Sequence, residues 1–261
     1  MRWYTDLIFG RTEHGVEVLP GTHKLVVHSN WKQMSENLGG DNAHVPFTHE
    51  WMSNLFYDSR PEERGLNFQG YTENGHMFVC DLFDDTALVG PALAKNRAKL
   101  GAEAAKRLAP LQASLAGSES ATGGGAVLIG NIFPNFGWIE AFGWTLMRVM
   151  HPKGPGLTEC WTWVVVDSEM PEEARAEARA QIIQQVAPPG TIEVDDTEVW
   201  RQAYQNHRAP YRSRFPLNYQ MGRGHGRRDD DRPGILHDAP TEVGAFNFYE
   251  HWGDLMTRYG G

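Results

Sequence analysis

His44 and His49 stand five residues apart with a carboxylate, Asp41, three residues before the first. Imidazole nitrogens and carboxylate oxygens bind divalent first-row metals, and an aspartate can also fix a ligating histidine's tautomer by accepting its other ring N–H. With 11 histidines in 261 residues, the pair is a weak motif by spacing alone. Two imidazoles need an anionic companion, and the run TIEVDDTEVW, residues 191–200, offers Asp195 and Asp196. Asp196 recurs with Val199, Trp200 and Ala203 at helical spacing, so it shares an apolar face that Asp195 does not. A place in a first helical turn would favour the ionised form a ligand needs. Two imidazoles plus one carboxylate, with open positions, are the set used by non-haem Fe(II) oxygenases, and zinc accepts the same ligands. The residues alone also fit a structural Asp41–His44 pair, a capping His49 and two aspartates that merely cap a helix.

These groups must be carried by regular elements. Ser29 and Asn30 are N-caps for a helix from Trp31 into the 40s, with Trp31, Met34, Leu38 and Val45 as its apolar stripe, Asp41 on that stripe and His44 one turn on. On a straight helix His49 would lie roughly 140° around from His44, so one ion can meet both only if the helix breaks, and Pro46 supplies a break. Residues 76–83, 126–133, 144–150 and 160–166 are rich in aromatic and β-branched side chains and read as a mostly antiparallel sheet, with turn signals at 135–137 and 152–156. Residues 87–125 read as a mobile surface excursion, an Ala/Lys/Leu helix followed by the polar run SLAGSESATGGG. A second helix takes Ser168 as cap and Pro171 in its first turn and stops at 188–190, and a third begins near Asp195. The last runs from about Phe246 to Tyr259, with Phe248, Trp252, Leu255 and Met256 on one side.

Composition narrows the function classes. At 261 residues and 41% hydrophobic the chain can build one sizeable core, so a single domain over 1–261 is expected. A formal charge of -9 leaves no basic stripe for nucleic acid. The N-terminus lacks a signal-peptide core and the apolar run at 164–166 is too short to span a bilayer, so a cytoplasmic protein without membrane partners is expected. Cys80 and Cys160 read as buried free thiols; His151, His207 and His237 read as solvated; residues 222–231 (GRGHGRRDDD) read as a polar loop. No HExxH motif supports zinc hydrolysis.

The run NWKQMSENLGGDNAHVPFTH resembles the iron-site signature of α subunits of Rieske-type aromatic-ring-hydroxylating dioxygenases, and the resemblance continues through IGNIFPNFGW, RVMHPKGPGLTECWTWVVVDSEMPEE, EVDDTEVW and LNYQMGRG. It implies an α+β, helix-grip or START-like catalytic domain whose antiparallel sheet curls around a long helix and encloses an apolar cavity. Carried over by position, it implies His44, His49 and Asp196 as Fe(II) ligands. Asp41 becomes the bridge from a ligand histidine to the Rieske centre of a neighbouring subunit, and Asn37 an asparagine beside the iron. Leu38, Val186 and Ile192 fall where the family places substrate-contacting side chains, although each also reads as ordinary core. A Rieske [2Fe-2S] cluster needs CxH and CxxH units, and neither cysteine here has a histidine at those spacings, so the cluster domain is expected to be missing. The resemblance further implies hydroxylation of an aromatic substrate with O2, usually cis-dihydroxylation, with monohydroxylation or demethylation left open. Electrons would come from NADH through a reductase, with or without a ferredoxin, and the Rieske centre, in a homotrimer with or without a β subunit. The competing reading is a START-like module that holds an apolar ligand without chemistry.

Overall fold

A computed structural model describes residues 1–51, 67–83, 89–118, 125–141, 143–188 and 190–260. Among the described residues nine antiparallel strands form one sheet: β1 (Val16–Val18), β2 (His23–Val27), β3 (Asn67–Thr72), β4 (His76–Phe83), β5 (Gly125–Ile132), β6 (Phe136–Ala141), β7 (Trp144–Gly154), β8 (Leu157–Asp167) and β9 (Ile235–Asp238). The order is β1-β8-β7-β6-β5-β4-β3-β9, and β2 also pairs with β8. Along β7 the residues Trp144, Leu146, Arg148 and Met150 are buried while Met147 and Val149 are less so, the alternation of a strand with one face on the core. Helices close the inner face: α4 (Pro91–Arg107) and α6 (Glu172–Gln185) pack together, and α8 (Val243–Tyr259) lies on β3 and β4. The result is the α+β helix-grip arrangement expected from the sequence.

Several boundaries differ from expectation. Helix α2 is Trp31–Asn37, with Asn30 alone as N-cap, its side chain accepting the Lys32 N–H at 3.1 Å. It ends there because the next turn runs through Gly39 at φ 111°, where a Cβ would sit 2.9 Å from the Met77 carbonyl. Asp41 therefore lies in a loop beyond the helix and is 35% exposed, off the buried stripe. Pro46 does not break a helix; it stands in the first turn of a new one, α3 (Val45–Thr48), which His44 precedes and His49 follows. Strand β6 occupies part of the segment read as a turn.

The described part of the supposed excursion is packed structure, since Leu93, Leu100 and Ala104 of α4 and Leu115 beyond it are buried. Residues 84–88 and 119–124 lie outside the described residues. Pro171, and not Ser168, immediately precedes α6. Helix α7 (Thr191–His207) starts four residues before Asp195, which puts Asp196 in its second turn. Val199 is 43% exposed, so the inward face carries Glu193, Asp196 and Trp200 instead. In α8 the buried side is Val243, Ala245 and Phe248, while Met256 faces outward. His237 is buried on β9, contrary to its solvated reading, and His151 on β7 packs against the ring of Trp161. Cys80 and Cys160 are buried and free. Among the described residues no helix is long and apolar enough to cross a membrane.

Candidate metal centre

The core cluster that carries the site is Val27, Met34, Leu38, Met150, Cys160 and Trp200, which ties α2 and α7 to strands β2, β7 and β8. Leu38 comes so close to the sheet that a Cβ on Gly137 would stand 2.5 Å from its Cδ1. That packing holds the end of α2, and with it the following loop, opposite α7.

Across this gap His44, His49 and Asp196 converge, with one ligand atom from each lying within 4.8 Å of the others. Nε2 of His44 is 3.7 Å and Nε2 of His49 is 3.2 Å from the same oxygen of Asp196. Metal bonds of about 2.1 Å at angles of roughly 90–110° place ligand atoms about 3.0–3.5 Å apart, so the His49–Asp196 pair already fits a divalent ion and His44 would have to close in on it. A hydrogen bond holds His44 from behind, and a carboxylate stands behind His49. Nδ1 of His44 donates to the Asp41 backbone carbonyl at 2.7 Å, which leaves the Nε2 lone pair facing Asp196. The Asp41 carboxylate takes the His44 backbone N–H at 3.1 Å and lies 3.5 Å from Nδ1. Nδ1 of His49 faces Asp195 at 3.5 Å, and Asp195 also accepts the Trp51 ring N–H at 2.6 Å. Asp195, which periodicity dismisses, thus stands behind one histidine as Asp41 stands behind the other. Because α7 begins at Thr191, residues 195 and 196 reach opposite sides of the same imidazole.

Electrostatics follow the geometry. Burial alone would push the His44 ring down, but the Asp41 bond and the charges of Asp196 and Asp41 outweigh it and raise its pKa. Burial pushes the Asp41 carboxyl up, and the His44 bonds reverse this and hold it below the usual range. Behind the loop Glu36 accepts hydrogen bonds from Tyr249 at 2.8 Å and Tyr219 at 3.1 Å. Burial pushes that carboxyl up to about 7 in spite of them.

The open side of the triad faces a cavity of about 120 Å³. Asn37, Leu38, Val186 and Ile192 all line it, as do Asp41 and the three convergent residues. Missed in the sequence were Trp144, Ile129 and Ile139 of its wall and a buried ion pair, Arg148 to Glu193 at 2.6 Å. A signal for Arg148 exists: it falls on the inward register of β7 with Leu146 and Met150, where an arginine is out of place. Burial pushes the Glu193 carboxyl up, and the Arg148 guanidinium pulls against that.

Comparison with known proteins gives one consistent set of likenesses. Residues 17–258 match the family model described as ring hydroxylating alpha subunit, catalytic domain. The chain is 29% identical to the biphenyl 2,3-dioxygenase subunit alpha of Rhodococcus jostii (strain RHA1), over 98% of this chain and 56% of that protein. It is 28% identical to a benzene 1,2-dioxygenase subunit alpha of Pseudomonas putida, over 98% and 58%. The structure of naphthalene 1,2-dioxygenase from Rhodococcus sp. bound to indole superposes with a TM-score of 0.83 at 24% identity, covering 100% of this chain and 61% of that one. The chain therefore spans a little over half the length of these curated relatives.

Proposed function

The chain belongs to the family of ring-hydroxylating α-subunit catalytic domains, and on that premise we propose that it is the oxygenase half of a Rieske-type enzyme that hydroxylates an aromatic substrate with O2. The observation that carries the proposal is the convergence of His44, His49 and Asp196 at the mouth of a cavity whose wall includes Trp144, Ile129 and Ile139. A START-like binding module would leave that convergence without a purpose.

His44, His49 and Asp196 would hold Fe(II), which when bound supplies the centre for dioxygen activation and electron uptake. The chain's own groups do the rest. Asp41 orients the His44 ring through its backbone carbonyl, and Asp195 stands 3.5 Å from Nδ1 of His49, where a bound ion would favour closing that contact. Asn37 stands at the end of α2 beside the site, while Leu38, Val186 and Ile192 hold an aromatic ring and exclude water. Asp41, partly exposed on the outer side of His44, is placed to bridge to a Rieske centre supplied by a neighbouring subunit. The electron route is then NADH, a reductase with or without a ferredoxin, the Rieske [2Fe-2S] cluster, Asp41 and His44. The relatives named as dioxygenases favour cis-dihydroxylation. Exchange between subunits fits a homotrimer, with or without a β subunit, in the cytoplasm where NADH is regenerated.

The test is anaerobic reconstitution with Fe(II) and elemental analysis. One iron per chain is expected. A folded chain that refuses iron with His44, His49 and Asp196 intact overturns the proposal.

A further inference from the structure

Resting on the reading of this cavity as the seat of an aromatic substrate, we infer that it admits a single six-membered ring and shuts out a second, fused one, with the cross-strand pair Ile129 and Ile139 setting the limit. The likeness to proteins named for benzene and for naphthalene leaves the number of rings open. The register of the strands decides it. On the inward face Met77, Asn131, Gly137 and Arg148 form one row across β4, β5, β6 and β7, and Val79, Ile129, Ile139 and Leu146 form the next. A third row holds Val127 on β5 and the pair Ala141 and Trp144 on β6 and β7. Successive rows are two residues, roughly 7 Å, apart. The first row belongs to the metal end, because Leu38 packs over Gly137 and Arg148 is engaged with Glu193, one turn before Asp196. The floor left for a ring is the second row and the third, from which Val79, Ile129, Ile139, Val127, Ala141 and Trp144 line the cavity.

This floor has little freedom to withdraw. Strands β5 and β6 are paired on both sides, and Ile129 and Ile139 pack against two separate core clusters, one holding Leu38 and Trp200 and the other Leu93 and Trp144. Close-packed interiors resist compression, so a guest larger than the space must push regular elements apart. An apolar cavity of about 150 Å³ holds one benzene. At about 120 Å³ this one is filled by a single ring and has no room for the further ring carbons of naphthalene. The consequence runs against hydrophobicity. Naphthalene takes more apolar area out of water than benzene and binds tighter wherever a pocket can stretch to hold it, whereas a fixed floor reverses the order.

The experiment measures dissociation constants of benzene and naphthalene for the whole chain by calorimetry. Benzene is expected to bind at least tenfold tighter than naphthalene. Ile129→Ala and Ile139→Ala each remove the branched end of a floor side chain and no polar group, and each should tighten naphthalene binding at least tenfold while benzene gains little. Thermal melting checks that the variants are folded, and the wild-type comparison decides the matter even where one is not. Naphthalene binding as tight as benzene or tighter in the wild type overturns this inference alone, as does a benzene preference that survives both substitutions in folded chains. Refusal of both arenes also overturns the cavity's role as a substrate seat.

Discussion

His44 is hydrogen-bonded at Nδ1, His49 is faced at Nδ1 by Asp195 at 3.5 Å, and both turn Nε2 towards one oxygen of Asp196, so the neighbouring aspartates should separate cleanly on mutation. Asp196→Ala removes a ligand and should abolish stoichiometric iron in elemental analysis. Asp195→Ala leaves all three ligands but frees His49, and should weaken iron binding by about 10- to 100-fold. Equal effects would show that the two carboxylates are interchangeable. Asp41→Asn should keep iron yet slow NADH-driven turnover by at least that factor in the protein with its Rieske domain; peroxide, supplying oxygen and electrons directly, should restore product. The convergence of His44, His49 and Asp196 was legible because a histidine pair, a preceding aspartate and a later acidic pair survive in the order of residues. The support from Asp195 was not, since it depends on where α7 begins. Glu36 makes a pH prediction. Its carboxyl is raised from an ordinary 4.5 to about 7, so between those values the folded chain holds a proton that the unfolded chain has released. Stability from this group is therefore lost as pH rises through that window. Urea unfolding at pH 5 and pH 8 should show a drop that Glu36→Gln reduces.

Elements meet at the site through glycines. Helix α2 can end and drop its loop onto the sheet only because Gly39 takes a positive φ against the Met77 carbonyl and Gly137 leaves room for Leu38. Gly39→Ala should cost about 1–3 kcal/mol in urea unfolding and reduce iron affinity together with stability. A stable variant with normal iron binding would show that the loop finds another path. The same glycines explain what the sequence concealed. Asn135 and Gly137 resemble a turn, yet Gly137 is there because a neighbouring leucine needs its space, and the strand Phe136–Ala141 runs through it. The strand His76–Phe83 and residues 144–150 of the strand Trp144–Gly154 were visible because their aromatic and β-branched composition is continuous, whereas the end of the latter runs on through Pro152, which reads as a turn. Short edge strands such as Val16–Val18 and Ile235–Asp238 carry too few residues for any period to emerge.

At the scale of the whole molecule, the three convergent side chains are drawn from distant parts of the chain. Residues 44 and 49 precede most of the sheet, and residue 196 follows strand β8. Their meeting requires β7 and β8 to be paired and the Val27, Met34 and Trp200 cluster to be closed. The unfolded chain thus offers no preassembled coordination sphere, and closing so long a loop must come before the ion can be gripped. On the proposed ligand set, metal capture is accordingly a late event, and the ion would act as a clasp on a finished architecture. In stopped-flow experiments Fe(II) under anaerobic conditions should leave the refolding rate nearly unchanged and slow unfolding, as expected for an interaction absent from the transition state. Acceleration of refolding by iron would place the clasp early instead. A late clasp leaves the polypeptide able to mature before the metal reaches it, and makes iron supply a control on the lifetime of the folded protein with little influence on how it is made.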